Sequence, residues 1–342
     1  MKKFICIILL ITAAIPFVFA AGGADFGSRN KIVIYTSMYQ DVIDSVKTDL
    51  KKKFPKYNIE FVYGGTGTLE NKVSTERSGG RLGCDILMTA DPAYSFDLKE
   101  KGILHPFISK EASNLAFDYD KEGYWYPVRI STMVLAYNPD KYLKNNLPDS
   151  FRSFAFDTKV AGAISMRNPL VSGTTMATVT ALKDKYGYDY FEALGKQRVA
   201  IDYGTDETIR KLEAGECKIA MINEESILSI REKNKSKLEV IYPTDGAVVI
   251  PSPIMIINNK WSANRNTKAA EDIVNWFLSV DGQNAIVAGW MHSVRADFDK
   301  VPYDSKPVSE IRANSIPVIW ENVYKQRTDI QRRFEQYLAG RK

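Results

Sequence analysis

The chain contains little histidine and little cysteine, and this scarcity limits the chemistry it can perform. Its 342 residues include only 2 histidines, His105 and His292, and 3 cysteines. Zinc sites and many hydrolytic centres depend on these residue types, so few residues remain for a His-based metal or catalytic site. Cys84 and Cys217 are too few and too far apart to form a disulfide framework, and the sequence leaves open whether they pair.

A strong excess of one charge is also missing. The chain has 46 basic and 41 acidic residues, a formal net charge of +5. It contains no block of lysine and arginine and no RNA-binding signature. Nucleic acid is therefore not an expected partner.

Common catalytic motifs are absent as well. The sequence has no Gly-x-Ser-x-Gly elbow and no His-Glu-x-x-His pair, and its glycine-rich segment at residues 64–68 is not followed by the Lys-Ser/Thr of a nucleotide loop. We expect a binding protein without a cofactor rather than an enzyme. A periplasmic phosphatase, in which an aspartate or glutamate would act as the base, is the alternative.

The first twenty residues have the pattern of an export signal. Lys2 and Lys3 precede an apolar stretch at residues 4–18, and small residues end at Ala20. The apolar stretch is short for a membrane-spanning helix. The sequence thus predicts residues 1–20 as a signal peptide that is cleaved near Ala20, and a protein exported to the periplasm.

The remaining residues alternate between short β-branched runs and segments with helical periodicity, which predicts an α/β fold with mostly parallel sheets. Strands are predicted at residues 32–35, 59–62, 86–88, 134–137, 164–166, 199–201, 219–222 and 255–257. An amphipathic helix carries Val42, Ile43, Val46 and Leu50 on one face, and further helices are predicted at residues 69–77, 207–214, 268–278 and 327–338.

A mature chain of this length is expected to form two domains. The chain would cross between them near residues 128–134 and 246–253. This predicts one lobe of residues 27–130 plus 254–300 and a second lobe of residues 131–253 plus 301–342, with a ligand cleft between them.

Two short segments have the composition of anion-binding corners. The first corner, residues 64–68, and the second corner, residues 172–175, each place glycine and hydroxyl residues where a strand gives way to a helix. Free backbone N–H groups and the positive end of the helix dipole favour a negative ligand there. Two such corners in one chain predict two lobes that face one ligand.

Several segments, in their order and spacing, resemble the extracytoplasmic solute-binding proteins of ABC importers, in the branch that binds ferric ion, phosphonates and hexose phosphates. These segments are residues 32–37, 67–76, 84–91, 124–127 (Tyr-Trp-Tyr-Pro), 135–139 (Leu-Ala-Tyr-Asn-Pro), 169–174, 214–216 and 220–223. The resemblance implies a clamshell fold of two lobes, each a mostly parallel sheet flanked by helices. It also implies a monomer that delivers its ligand to a permease and ATPase complex in the inner membrane. A receptor that feeds a membrane sensor instead of a transporter is the alternative.

The same resemblance bears on iron. Iron-binding members of the group usually hold the metal with a pair of tyrosines, often with a histidine and a glutamate. Here the tyrosine pair aligns with Glu225-Ser226, the histidine with Met38 or Tyr39, and the glutamate with Ala90. An oxygen site made of Tyr39, Tyr203, Asp206 and Glu225 leaves iron as the alternative ligand.

We expect instead a small phosphorylated or phosphonate solute, such as a sugar phosphate, an aminophosphonate or a polyol phosphate. Its head group would be held by hydroxyl and backbone donors of Ser37, Thr66, Gly67, Thr68, Ser172, Gly173 and Thr174. No arginine is needed for this, because dipoles and neutral donors can bind a buried anion. Asp206 and Glu225 (or Glu224) would lie at the far end of the ligand, with Tyr39 and Thr205 also in contact. The competing interpretation is that the hydroxyl residues are ordinary helix caps.

Overall fold

The computed structural model of the protein describes residues 30–339, so the predicted export signal lies outside the described residues. In this described part, no helix combines the length and apolar character that crossing a bilayer requires. The nine strands of residues 30–339 are β1 (Lys31–Thr36), β2 (Asn58–Tyr63), β3 (Ile86–Met88), β4 (Tyr126–Tyr137), β5 (Ile164–Arg167), β6 (Ala200–Asp202), β7 (Ile219–Asn223), β8 (Glu239–Ile241) and β9 (Val248–Ile256).

Twelve α-helices accompany these strands within the same residues. They are α1 (Gln40–Lys53), α2 (Thr66–Ser78), α3 (Ala93–Glu100), α4 (Phe151–Phe156), α5 (Gly173–Tyr186), α6 (Asp189–Lys196), α7 (Thr205–Ala214), α8 (Glu224–Asn234), α9 (Thr267–Leu278), α10 (Val280–Ala288), α11 (Val308–Ala313) and α12 (Trp320–Ala339). Short 3-10 turns occur at Ala112–Asn114, Lys144–Asn146 and Thr158–Val160.

The strands form one sheet in the order β2-β1-β3-β9-β4-β7-β5-β6, with β8 paired to β4. One end, β2-β1-β3, is parallel, and the other end, β7-β5-β6, is parallel too. The antiparallel strands β9 and β4 join these ends. The expected α/β class is therefore confirmed, but the sheet is mixed: among residues 30–339, four strand pairs are parallel and four are antiparallel.

Strands β4 and β9 bring the two ends of the sheet together. β4 pairs with β9 from Tyr126 to Met133 and then with β7 from Met133 to Tyr137. All twelve residues of β4 are buried. The chain thus crosses between the two halves on strands that are packed on both faces.

Separate hydrophobic cores occupy the two halves. The first lobe contains the core around β1, β3 and α1, in which Val42, Ile43, Val46 and Leu50 are buried as the helical spacing predicts. Burial of one such side chain stabilises the fold by about 1.5–3 kcal/mol. The second lobe contains the core around β5, β7, α5 and α6, to which α12 adds Phe334. The residue boundaries predicted for the two lobes stay a prediction.

Candidate functional site

A cleft between the lobes contains two connected cavities. The outer cavity measures about 470 Å³, within the range of small-molecule sites, and the inner recess about 30 Å³. Both are lined by Tyr39, Tyr63, Gly65, Arg167 and Glu225, so they form one continuous space. The recess accepts only a few atoms, while the outer cavity has room for the remainder of a small ligand.

Five helices begin at this space. Their N-caps are Tyr39 for α1, Gly65 for α2, Ser172 for α5, Gly204 for α7 and Asn223 for α8, and each N-cap lines at least one of the two cavities. Of these five N-cap residues, only Ser172 accepts a hydrogen bond from its helix backbone through its side chain. Helix starts carry partial positive charge and free N–H groups, so their convergence favours an anion in the cleft.

The second corner is a hydrogen-bonded chain that leads to a carboxyl group. The Ser172 hydroxyl accepts the Thr175 N–H at 3.2 Å and lies 3.1 Å from the Thr174 hydroxyl. Thr174 donates to Asn223 Oδ1 at 2.9 Å, and Asn223 Nδ2 donates to Glu225 Oε1 at 3.1 Å. Ser172 is thus a helix cap, as the competing interpretation expects, and it also lines the inner recess.

The first corner packs directly on the second. A Cβ added to Gly173 would lie 2.7 Å from Asp91 Oδ2 and 2.8 Å from Thr66 Oγ1, and one added to Gly67 would lie 2.5 Å from the Leu170 carbonyl oxygen. The Thr66 hydroxyl accepts the Ala90 N–H at 3.0 Å. These glycines therefore permit close approach between the lobes.

The remaining predicted corner residues take different positions. Ser37, Thr66, Gly173 and Thr174 line the inner recess, and Thr68 lines the outer cavity. Gly67 lines neither cavity. A Cβ added to Gly67 would lie against the chain before α5, and its predicted contact with the ligand stays a prediction.

Two arginines that the sequence analysis did not include reach this space. Arg129, in β4, is only 1% exposed and lines the inner recess. Its Nη2 donates to the Ser37 hydroxyl at 3.1 Å, but Nε and Nη1 have no hydrogen-bond partner among residues 30–339. Burial lowers the pKa of Arg129 to about 10, so the guanidinium stays charged at neutral pH. A buried, charged donor without a partner is costly unless something accepts its hydrogen bonds.

Arg167 approaches from the end of β5 and lines both cavities. It donates through Nη1 to the Thr205 hydroxyl at 2.9 Å and through Nη2 to the Tyr203 carbonyl oxygen at 3.0 Å. Its buried Nε has no partner in the described part of the chain. The sequence analysis held that an anion site needs no arginine, and the structure places two guanidinium groups at the recess.

Glu225 also lies in the inner recess and is only 4% exposed. Burial raises its pKa to about 7, against the opposing effects of hydrogen bonds and the charge of Arg129. This position differs from the expected one, because Glu225 is two hydrogen bonds from Thr174 rather than at the far end of the ligand.

Glu224 does not take the alternative role assigned to it. Its carboxylate is bound to His292 Nε2 at 3.0 Å and to the hydroxyls of Tyr242 and Ser305. Although burial raises the pKa of Glu224, these hydrogen bonds lower it below the usual value. Glu224 lines neither cavity.

The outer cavity combines aromatic and acidic groups. Tyr39, Tyr203, Thr205, Asp206 and Glu225 line it together, which includes all four residues of the iron alternative. Thr205 donates to the Tyr39 hydroxyl at 3.5 Å. Within residues 30–339, no group of three or more His, Cys, Asp or Glu side chains is placed to hold a metal ion. Cys84 and Cys217 are both free and buried, which settles the question of their pairing.

A two-lobed α/β architecture with a small-molecule cleft defines the periplasmic-binding-protein fold, and solved structures agree. Iron-bound HitA from Pseudomonas aeruginosa matches with a TM-score of 0.77 at 21% identity over 89% of this chain and 99% of HitA. AfuA from Actinobacillus pleuropneumoniae with fructose-6-phosphate bound matches with a TM-score of 0.78 at 18% identity over 91% and 99%. The substrate binding protein of an ABC transporter from Agrobacterium tumefaciens matches with a TM-score of 0.79 at 15% identity over 93% and 96%.

The family model for bacterial extracellular solute-binding proteins matches residues 84–312, more than half of the chain. The chain therefore belongs to this family of transport proteins, whose members bind solutes for ABC importers. The resemblance found in the sequence is confirmed. A search of curated proteins found no match.

Proposed function

We propose that this protein is the exported, monomeric solute-binding component of an ABC importer and captures a small phosphorylated or phosphonate solute between its lobes. The observation that carries the proposal is Arg129, a buried cation at the wall of the inner recess whose nitrogens Nε and Nη1 have no partner among residues 30–339. Guanidinium forks bind phosphate and carboxylate oxygens with favourable geometry. An oxyanion in the recess would satisfy the donors that the protein leaves unpaired.

The surrounding groups extend this preference. Arg167 adds a second guanidinium with an unpartnered Nε, and the five helix starts add partial positive charge. Ser37 and Ser172 add hydroxyl groups at the recess. Hydrogen bonds to a charged group contribute about 1.5–3 kcal/mol each, so a few of them support micromolar or tighter capture after ordering costs.

The outer cavity suits the rest of such a solute. Asp206 and Thr205 can accept hydrogen bonds from hydroxyl or ammonium groups, and Tyr39 adds a phenol. AfuA, which shares the fold, is described with fructose-6-phosphate bound. A hexose phosphate is accordingly the first solute to test.

Ferric iron is the second candidate, because Tyr39 and Tyr203 line the same cavity as Asp206 and Glu225 and because HitA is described as iron-bound. Two guanidinium groups beside the recess disfavour a trivalent cation through like-charge repulsion. We therefore rank the anionic solute first. Delivery to a permease and ATPase complex follows from the family and is part of the same proposal, as is the absence of enzymatic turnover.

Native mass spectrometry of the protein purified from its periplasm tests this proposal. We expect a mass increment that matches an organophosphate or organophosphonate, and displacement of it by added fructose 6-phosphate. Titration calorimetry of the stripped protein with fructose 6-phosphate, 2-aminoethylphosphonate, glycerol 3-phosphate and ferric citrate then ranks the ligands. Visible ferric–phenolate colour with no affinity for any phosphorylated compound would refute the proposal in favour of iron, and hydrolysis of a phosphorylated probe would refute the binding-only role.

A further inference from the structure

Glu225 is a carboxyl group inside a recess that otherwise attracts anions. It is 4% exposed and shares the recess with Arg129 and Arg167. Asn223 Nδ2 donates to its Oε1 at 3.1 Å, while Asn223 Oδ1 accepts from Thr174. The carboxyl group is therefore held in place from the side of the second corner.

The small volume of the recess creates a conflict for an ionised Glu225. About 30 Å³ of space leaves no room for a layer of water between the carboxylate and a bound oxyanion. Two negative charges in contact at low dielectric repel strongly. A protonated carboxyl instead has an O–H donor, which can bond to a ligand oxygen.

The charged residues around Glu225 determine whether its carboxyl group is ionised or protonated. From β4 and β5, Arg129 and Arg167 favour the ionised carboxylate. From the start of α8, Glu224 opposes it, although that charge is hydrogen-bonded to His292. Asp206 on α7 adds negative charge in the outer cavity, where Asp41 of α1 also lies.

Three tyrosines near Glu225 are further titratable groups of the site. Tyr39 precedes α1, Tyr63 ends β2, and Tyr203 precedes α7. A ligand phosphoryl group would bring up to two negative charges into this setting. It would therefore shift the balance at Glu225 strongly toward the protonated form.

We propose that Glu225 takes up one proton from solvent when the anionic solute enters the recess, and that the resulting carboxyl donates a hydrogen bond to the solute. The proton returns to solvent when the solute leaves, and no other bond forms or breaks. This inference rests on the proposed function and adds a pH dependence to it. The raised pKa of Glu225, about 7, places the empty site near half protonation at neutral pH, so the uptake is measurable.

Calorimetric titration of the wild-type protein with fructose 6-phosphate at pH 8, in two buffers of different ionisation enthalpy, measures the protons taken up. We expect close to one proton per bound ligand in the wild type and close to none in Glu225→Gln, whose amide keeps a donor. If the phosphate group of the ligand took up the proton instead, Glu225→Gln would show the same proton uptake as the wild type. Above pH 7 the wild-type Kd should rise relative to that of Glu225→Gln by about tenfold per pH unit.

Glu192→Gln is the matched control for the loss of one carboxylate. Glu192 lies on α6 and pairs with Lys196 at 2.6 Å, away from both cavities. We expect this variant to show the wild-type proton uptake and the wild-type pH slope. Tight binding without proton uptake in the wild type would overturn the role of Glu225 alone. Failure of the wild type and Glu225→Gln to bind fructose 6-phosphate, 2-aminoethylphosphonate, glycerol 3-phosphate or inorganic phosphate even at pH 6 would refute the proposed function, and the proton uptake with it.

Discussion

Replacement of Arg129 by methionine should weaken ligand binding and stabilise the empty protein at the same time. Arg129 is 1% exposed, and within residues 30–339 its guanidinium donates one hydrogen bond, to the Ser37 hydroxyl at 3.1 Å. Two further nitrogens of the guanidinium, Nε and Nη1, have no partner in residues 30–339. The side chain is thus placed for a ligand at a cost to the ligand-free fold.

The magnitudes follow from these contacts. Two charge-assisted hydrogen bonds at about 1.5–3 kcal/mol each predict a loss of roughly 3–6 kcal/mol in binding, or about 10² to 10⁴ in Kd. Removal of two buried nitrogen atoms that lack partners relieves a desolvation cost of about 1–3 kcal/mol each. The lost attraction between Arg129 and the carboxyl group of Glu225 offsets part of this gain. Loss of the Ser37 hydrogen bond offsets about 1 kcal/mol of that gain.

Calorimetry with fructose 6-phosphate measures the first effect, and thermal unfolding of the stripped protein measures the second. Arg295→Met is the control, because Arg295 is also buried, at 7% exposed, but donates to Asp297, Glu111 and the Leu278 carbonyl, each at 2.8 Å. Arg295→Met should destabilise the protein and leave the Kd unchanged. If Arg129→Met instead lowered the unfolding temperature and bound the ligand as the wild type does, Arg129 would be a structural residue and the reasoning would be wrong.

Three further predictions concern closure and stability. Gly173→Ala should weaken ligand binding at least tenfold in calorimetry, because the new Cβ would lie within 3 Å of Asp91 Oδ2 and Thr66 Oγ1; wild-type affinity would contradict this close approach. Glu225→Gln should raise the unfolding temperature at pH 8 but not at pH 4. The folded-state pKa of Glu225, about 7, exceeds the unfolded value of 4.5, so this residue lowers the stability of the wild type as the pH rises from 4.5 to 7. An equal effect at both pH values would contradict the raised pKa. Arg327→Met should lower the unfolding temperature more at pH 8 than at pH 5, because it leaves the buried carboxylates of Glu70 and Asp91 without their cation. An equal loss of stability at both pH values would show that packing of the Arg327 side chain, rather than its charge, stabilises the fold.

The sequence was informative about the parallel strands and the longer amphipathic helices. The strand predicted at residues 86–88 coincides with β3, and the buried face of α1 has the predicted residues. The apolar residues of α1 recur at helical spacing, and β3 is a short run of buried apolar residues. Helix α12 begins at Trp320, earlier than the predicted start at residue 327, and its first turn already includes the buried Val323.

The connecting strands were only partly predictable. β4 is buried along all twelve residues, so it has no alternation of polar and apolar side chains that would reveal its first half. β9 contains Pro251 and Pro253, which ordinarily argue against a central strand. Six helices, α3, α4, α6, α8, α10 and α11, were not predicted, and most of them are too short to establish a helical period.

The site was predictable where function depends on local sequence. Both corners were identified from strand-to-helix transitions rich in glycine and hydroxyl residues. The close approach of the second corner to the first, at Gly173 and Thr66, is a tertiary contact. Arg129 could not be found in this way, because it sits inside a buried strand and meets Ser37 across 92 positions of sequence. Glu225 was identified at a strand end, but its place beside the second corner depends on the tertiary hydrogen bonds of Asn223.

A crystal structure of the protein with fructose 6-phosphate bound tests the central claim most directly. We predict phosphate oxygens within hydrogen-bonding distance of Nε and Nη1 of Arg129, with the sugar in the outer cavity beside Asp206. A phosphate group bound elsewhere, or a ferric ion held by Tyr39 and Tyr203 with the Arg129 donors still unpartnered, would contradict it.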